Sequence, residues 1–224
     1  MVETDEDVVA IGAQMEKLRG QIARLPVRDP AEAWVPHHEH RPPGYEDAVK
    51  TEIPAPQRKK IKAACKAGAW PLLLSGDYGT GKTCAAAVVF GQFTQRPIWA
   101  RADDFLSAIA QGRGGKAVPI ECVNEFGETV TKSVPYDQFM GRVRSRSVVF
   151  LDDIATRQPT DPMYQSLFDL LEIRKGQPLV MTTNKTLSEL AAMYDDRVAD
   201  RLAAGTVVRF EGKSRRQKRR KCTV

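Results

Sequence analysis

The chain has 224 residues, of which 42% are hydrophobic and 28% are charged, and this length predicts one globular domain with appendages. No apolar run approaches the roughly 18 residues that a membrane-spanning helix needs, and the acidic first residues are unlike a signal or transit peptide. The four cysteines are neither paired as C-x-x-C nor regularly spaced. This cysteine pattern predicts reduced thiols and no zinc site, as in a cytoplasmic protein. Together with the lack of a long apolar run, it predicts a protein without membrane contact.

Residues 1–25 predict an amphipathic helix, because apolar side chains recur every three or four residues from Val8 to Leu25. The apolar stripe either packs on the chain's own domain or binds a partner protein, and its charged flanks favour a partner-binding arm. Residues 26–56 are rich in proline, which predicts a linker or an irregular wrap. The HHEH sequence at 37–40 has no matching distant Cys or His ligands, so we interpret it as solvated polar residues.

Residues 57–212 predict an α/β domain. Short apolar strands alternate with helices, which is typical of a mostly parallel sheet covered by helices on both faces. The predicted strands span 71–75, 97–102, 147–153, 178–184 and 206–210. The predicted helices span 57–69, 82–95, 103–112 and 161–175, with one or two helices over 186–204. An inserted β-hairpin is predicted at 116–134, where residues alternate around a Gly-containing turn. This hairpin is either a projecting finger with basic residues at its base, which contacts nucleic acid or a neighbouring molecule, or an insertion without a binding role.

The net charge of +6 is concentrated in the basic tail, residues 213–224. Within it, residues 213–221 hold seven basic residues and no acidic one, and the rest of the chain is close to neutral. Such a tail either binds the phosphates of a nucleic acid or forms a solvated terminus, and the sequence leaves both interpretations open.

The sequence GDYGTGKT lies between an apolar strand and an alanine-rich helix and fits the pattern G-x-x-x-x-G-K-[ST] in full. Glycines in such a loop let backbone N–H groups converge on phosphates, and the helix dipole adds to the attraction. Lys82 is expected to reach the β- and γ-phosphates, and Thr83 to ligate Mg²⁺. A Gly-rich turn that binds nothing is the alternative. The predicted nucleotide-binding residues of this segment are Gly76, Asp77, Tyr78, Gly79, Thr80, Gly81, Lys82, Thr83 and Cys84.

Two other predicted strands end in polar side chains. The strand VVFLDD ends in Asp152, expected to bind Mg²⁺, and in Asp153, expected to orient or deprotonate the attacking water. The strand VMTTN ends in Asn184, whose side chain can contact the γ-phosphate or the water. Because ligands gather at the carboxyl ends of parallel strands, we expect these residues beside the phosphate loop.

The sequence DDRVADRLAAG places Arg197 and Arg201 on one face of a helix. An arginine can stabilise the charge on a transferred phosphoryl group, and one so far along the chain can serve the nucleotide of a neighbouring subunit. The alternative is that both arginines pair with surface carboxylates, namely Asp195, Asp196 and Asp200.

The ordered motifs GDYGTGKT, VVFLDD, TTN, DDRVADRLAAG and VVRFEGKSRR resemble those of the AAA+ ATPases of the bacterial helicase-loader group, the DnaC-like loaders. They equally resemble the IstB-like ATP-binding proteins of transposition. The resemblance covers residues 57–216 and implies a five-stranded AAA+ P-loop core, usually without a C-terminal helical lid. It also implies that Arg201 acts on a neighbouring subunit, with Arg197 as the fallback, and that Arg216 is a second nucleotide-sensing arginine.

This resemblance implies an Mg²⁺-dependent ATPase that converts ATP to ADP and phosphate in a homo-oligomer with sites between subunits. The implied role is to place a replicative ring helicase on single-stranded DNA. The Asp-Asp pair replaces the Asp-Glu of many AAA+ enzymes, and its shorter side chain predicts slow hydrolysis. The resemblance also implies that DNA stimulates the hydrolysis. The alternative is an IstB-like regulator of a transposase; a small-molecule kinase and a non-catalytic protein that uses only its basic tail fit the motifs less well.

Overall fold

The computed structural model describes residues 44–45, 47–93, 97–123 and 129–215. The predicted N-terminal helix, the HHEH segment and Arg216 lie outside these residues. The strands are β1 (Leu72–Gly76), β2 (Ile98–Arg101), β3 (Val118–Val123), β4 (Thr129–Val134), β5 (Val149–Ile154), β6 (Leu179–Thr183) and β7 (Thr206–Phe210). The helices are α1 (Ala55–Ala67), α2 (Lys82–Phe90), α3 (Ala102–Arg113), α4 (Tyr136–Ser145), α5 (Asp161–Ile173), α6 (Leu187–Met193) and α7 (Asp196–Ala203), with a 3₁₀-helix at Lys50–Glu52.

Five strands form a sheet in the order β2–β5–β6–β1–β7, and every neighbouring pair is parallel. The strands are apolar because helices cover both faces of the sheet. Alternate side chains point to opposite faces, so Leu73 packs in one core and Leu72 and Leu74 pack in the other. The predicted α/β fold with a five-stranded parallel sheet is therefore confirmed.

The helices differ from the predictions most in two places, the end of α2 and the presence of α4. The helix predicted over 82–95 ends at Phe90, where Gly91 caps its carboxyl end. The segment 186–204, predicted as one or two helices, forms two, because Tyr194 has a non-helical backbone and Asp195 then caps the second helix by accepting a hydrogen bond from the N–H of Val198. Helix α4 was not predicted; it follows Pro135 and is amphipathic, burying Phe139, Met140 and Val143.

The predicted hairpin is present as β3 and β4, which pair antiparallel apart from the main sheet. Its base is fixed to the domain because Val118 and Val134 are buried in the core that α3 and α4 share. The insertion is thus anchored by apolar contacts where it leaves and rejoins the α/β unit.

The described end of the Pro-rich stretch packs on the domain. Ala48 and Ile53 are buried in the core beneath α1 and α2, so this part of the stretch is an irregular wrap that leads into α1. Within the described residues, no helix combines the length and the apolar character needed to cross a membrane.

Candidate nucleotide site

The phosphate loop connects the end of β1 at Gly76 to the start of α2 at Lys82. Gly76 has a φ of +139°, and a Cβ there would lie 1.9 Å from the carbonyl oxygen of Phe210 on β7. Gly81, which precedes α2, has a φ of +103°. Both positions favour glycine because their backbone is in the left-handed region. At Gly76 the neighbouring strand β7 also leaves no space for a Cβ.

Lys82 is the buried cation at the centre of the site, with 5% of its surface exposed. Its Nζ donates hydrogen bonds to the carbonyl oxygens of Gly76 at 2.7 Å and Asp77 at 2.8 Å, and to Oδ1 of Asn184 at 2.6 Å. The last contact joins the phosphate loop to the end of β6, as the sequence predicted. Lys82 therefore lies between the loop and the neighbouring strand end.

Asp152 lies behind Thr83 at the end of β5. Its Oδ1 accepts hydrogen bonds from Oγ1 of Thr83 at 3.0 Å and from Oγ1 of Thr182 at 2.7 Å. Burial raises the pKa of Asp152; its hydrogen bonds to the two threonines and the charge of Lys82 oppose this rise, and the charge of Asp153 adds to it. A cation beside this carboxylate would favour its ionised form.

Asp153 points away from its neighbour because the backbone changes direction at this residue. Its φ is +59°, and the pairing of β5 with β6 is irregular between Leu151 and Ile154. The N–H of Asp153 donates to Oγ1 of Thr182 at 2.8 Å. The two consecutive carboxylates are thus separated, with Asp153 in the wall of the cavity and Asp152 behind Thr83.

A cavity of about 440 Å³ lies against the phosphate loop. Of the predicted loop residues, its wall includes Tyr78, Gly79, Gly81, Lys82, Thr83 and Cys84. Asp153 and Asn184 complete this side of the cavity. Thr80 instead supports the loop from within, because its buried hydroxyl donates to the carbonyl oxygen of Asp77 at 2.8 Å.

Three residues in the cavity wall were not predicted: Tyr45, Glu52 and Arg215. Arg215 connects the phosphate loop to the segment before α1. Its backbone N–H donates to the carbonyl oxygen of Gly79 at 2.8 Å, and its NH1 donates to the carbonyl oxygen of Glu52 at 2.6 Å. Cys84 in turn donates to Oε2 of Glu52 at 3.3 Å. Tyr45 and Glu52 carry no recognisable signal in the Pro-rich stretch, whereas Arg215 adjoins the predicted Arg216.

The two arginines of α7 lie outside this cavity. Arg197 pairs with Asp195, at 2.9 Å between Nε and Oδ2, and also donates to the hydroxyl of Tyr164 at 2.8 Å. Arg201 pairs with Glu172 of α5, and its guanidinium lies 4.3 Å from the ring centroid of Phe168. The surface pairing considered from the sequence therefore holds for Arg197 with Asp195, whereas the acidic partner of Arg201 is a residue of another helix.

The hydroxyl oxygen of Thr83 and the carboxylate of Asp152 are both suited to ligate Mg²⁺, which prefers oxygen ligands. The described residues contain no cluster of three or more His, Cys, Asp and Glu side chains that could hold a metal ion. This is compatible with Mg²⁺, which keeps several waters and binds proteins through one or two carboxylates together with substrate phosphates.

No protein-family model and no curated protein matches the sequence. The structure is similar to the crystal structure of the DnaC helicase loader, with 14% identity and a TM-score of 0.54 over 75% of this chain and 98% of that chain. It is similar to DnaI, with 15% identity and a TM-score of 0.53 over 76% and 94% of the two chains. AMPPCP-bound DnaA from Aquifex aeolicus gives 18% identity and a TM-score of 0.54 over 75% and 51%.

These similarities establish the fold: the described domain has an α/β fold with a five-stranded parallel sheet that resembles the DnaC and DnaI structures. The chain spans about half the length of the replication-initiator structures that it matches, covering 47%, 51% and 46% of them. The fold prediction made from the motifs is confirmed.

Proposed function

We propose that the protein binds and hydrolyses ATP at the phosphate loop, with Mg²⁺ as the cofactor and ADP as a product. The observation that carries this proposal is the position of Lys82. Its ammonium joins the loop carbonyls to Asn184, beside the pair formed by Thr83 and Asp152. A buried cation, an oxygen pair suited to Mg²⁺ and a second carboxylate in the wall are the groups that a triphosphate site needs.

Each residue of the site has a distinct part in this proposal. The Lys82 ammonium binds the β- and γ-phosphate oxygens, which replace one of its present acceptors, and the N–H groups of the loop and of the first turn of α2 bind the same phosphates. Thr83 and Asp152 hold Mg²⁺, which would neutralise phosphate charge. Asp153 orients or deprotonates the attacking water, and Asn184 contacts the γ-phosphate.

We further propose that the active site is completed by Arg201 of a neighbouring subunit in a homo-oligomer. Two observations support this assignment: Arg201 lies outside the wall of its own subunit's cavity, and its contacts with Phe168 and Glu172 give the guanidinium a defined position on the surface. Arg197, whose guanidinium binds Asp195 and Tyr164, is the second candidate.

We propose DNA replication as the process and a ring helicase as the partner, loaded onto single-stranded DNA. This chain covers nearly the whole of the DnaC helicase loader and DnaI structures, and a replication initiator bound to single-stranded DNA has the same fold. The arm predicted at residues 1–25 would bind the helicase through its apolar stripe.

Replacing both Ile11 and Leu18 with Asp is expected to abolish binding of the full chain to the helicase, because two charges would interrupt the apolar stripe. Binding is measured by co-purification with the replicative ring helicase of the same cell, and ATP binding is measured in parallel to show that the domain is intact. The matched control replaces Ala13 and Ala23, which the helical period places on the side opposite the stripe, with Asp. Equal helicase binding by both variants would refute the role of the arm.

Replacing Asp152 with Asn is expected to raise the Tm of the protein without nucleotide by about 3 °C and to remove the further rise caused by Mg²⁺-ATP. The raised pKa of Asp152 means that burial disfavours its ionised form, so the charge opposes folding at neutral pH. Asn keeps the oxygen that accepts from Thr83 and Thr182 but has no charge to bind Mg²⁺. Thermal unfolding tests this, with the exposed Asp104→Asn as the control; a lower Tm without nucleotide would contradict the burial argument.

A further inference from the structure

The positive charge of this chain is concentrated in two segments. Helix α1 contains five basic residues and no acidic one, namely Arg58, Lys59, Lys60, Lys62 and Lys66. Together with residues 213–221, it holds 12 of the 34 basic residues and none of the 28 acidic residues. The rest of the chain therefore has an excess of acidic residues, and this separation of charge is larger than solubility requires.

The basic residues of α1 share one face of the helix. Ile61 and Ala64 are buried against the domain. At 3.6 residues per turn, Arg58, Lys59, Lys62 and Lys66 fall within an arc of about 100° on the opposite side, and the three lysines are exposed. Among the ion pairs of the described residues, none includes a residue of α1. This face, Arg58, Lys59, Lys62 and Lys66, is called the basic face below.

The start of the basic tail lies beside the amino-terminal end of α1. The Nε2 of Gln57 donates to the carbonyl oxygen of Arg209 on β7 at 3.0 Å, which holds α1 against the edge strand of the sheet. Five residues beyond this strand, Arg215 donates from NH1 to the carbonyl oxygen of Glu52, shortly before α1 begins. Arg215 therefore lies near the amino-terminal end of α1.

We propose that the basic face of α1 binds the phosphates of a nucleic acid. The rise from Arg58 to Lys66 is about 12 Å, which matches about three phosphates along one strand. The base of the hairpin is a poorer candidate, because Arg113, which precedes it, pairs with Asp169 at 3.3 Å. This inference rests on the proposed function, which names single-stranded DNA as a partner. It adds the surface of the protein to which the DNA strand binds.

The test replaces Lys59, Lys62 and Lys66 together with Gln, which preserves helix propensity and removes three charges. Binding of a fluorescein-labelled oligo(dT) of 20 nucleotides to the full chain is followed by anisotropy at several salt concentrations. The slope of log K against log salt is expected to fall in magnitude by about 2, with about a tenfold loss of affinity at low salt. The matched control replaces Lys116, Arg144 and Lys175 with Gln, and is expected to leave the slope close to that of the wild type.

Four results would overturn the inference: an unchanged slope in the α1 variant, a larger loss in the control variant, no binding of oligo(dT) by the wild type, or binding to phosphatidylserine vesicles in place of oligo(dT). ATP binding is measured on the same preparations, because neither variant alters the cavity wall. A wild-type chain that binds ATP but not oligo(dT) refutes the basic face alone, whereas a chain that binds oligo(dT) but not ATP refutes the proposed nucleotide site alone.

Discussion

Replacement of Lys82 with Ala is expected to raise the Kd for ATP by at least about 100-fold, equivalent to about 3 kcal/mol. The variant loses the ammonium that joins the carbonyl oxygens of Gly76 and Asp77 to Asn184. Affinity is measured by titration with a fluorescent ATP analogue. The matched control is Lys175→Ala, which removes an exposed lysine between α5 and β6.

The same variant also tests whether the site is shared between subunits. Lys82→Ala and Arg201→Ala chains are each expected to be inactive in ATP hydrolysis, measured with and without single-stranded DNA. A mixture is expected to regain activity, since one chain supplies an intact phosphate loop and the other supplies Arg201. Inactivity at every mixing ratio would show that each chain contains a complete site, and would refute the shared arrangement while leaving the Lys82 result unaffected.

Replacement of Arg174 with Met is expected to lower the free energy of unfolding by about 3 kcal/mol or more. Arg174 is 2% exposed and lies directly after α5. Its NH1 donates to the carbonyl oxygens of Val143, Arg144 and Arg146 at 2.9 to 3.3 Å, and its NH2 donates to that of Pro178 at 2.6 Å. Met keeps most of the side-chain volume but leaves these buried acceptors without their donor.

Burial lowers the pKa of Arg174 to about 10, so the guanidinium remains charged at neutral pH. Three of the acceptors are carbonyls at the carboxyl end of α4 or just beyond it, which have no partner within the helix; the fourth, that of Pro178, also accepts from the N–H of Val149 at 3.2 Å. Urea unfolding measures the loss, and Lys175→Met, at an exposed position, is expected to change stability by no more than about 0.5 kcal/mol. A similar small change for Arg174→Met would mean that water replaces the guanidinium at these carbonyls.

The sheet was predictable because its strands are short, apolar and separated by helical segments, which leaves few parallel arrangements. The final strand was predicted at 206–210, the range found in the structure. Helix α4 was missed because it follows the hairpin directly, and its apolar residues were not separated from that insertion. Arg174 was missed for a different reason: an arginine at the end of a helix usually interacts with solvent and with that helix.

The candidate site was predictable where sequence spacing determines position. Strand ends meet at one edge of a parallel sheet, so Lys82, Asp152 and Asn184 were expected together, and the contacts of Lys82 and Thr83 show that arrangement. Tyr45 and Glu52 could not be predicted, because their place in the cavity depends on how an irregular segment wraps the domain.

The hydroxyl of Thr182 binds both residues of the acidic pair, since it donates to Oδ1 of Asp152 and accepts from the N–H of Asp153. Thr182 also lies two residues before Asn184, at the end of the adjacent strand. This oxygen therefore couples the acidic pair to the β6 end, in addition to the backbone pairing of the two strands and the bond from Oγ1 of Thr183 to the carbonyl oxygen of Ile154. Valine has nearly the same shape but lacks the oxygen, and would release both members of the acidic pair from this contact while leaving the strand pairing in place.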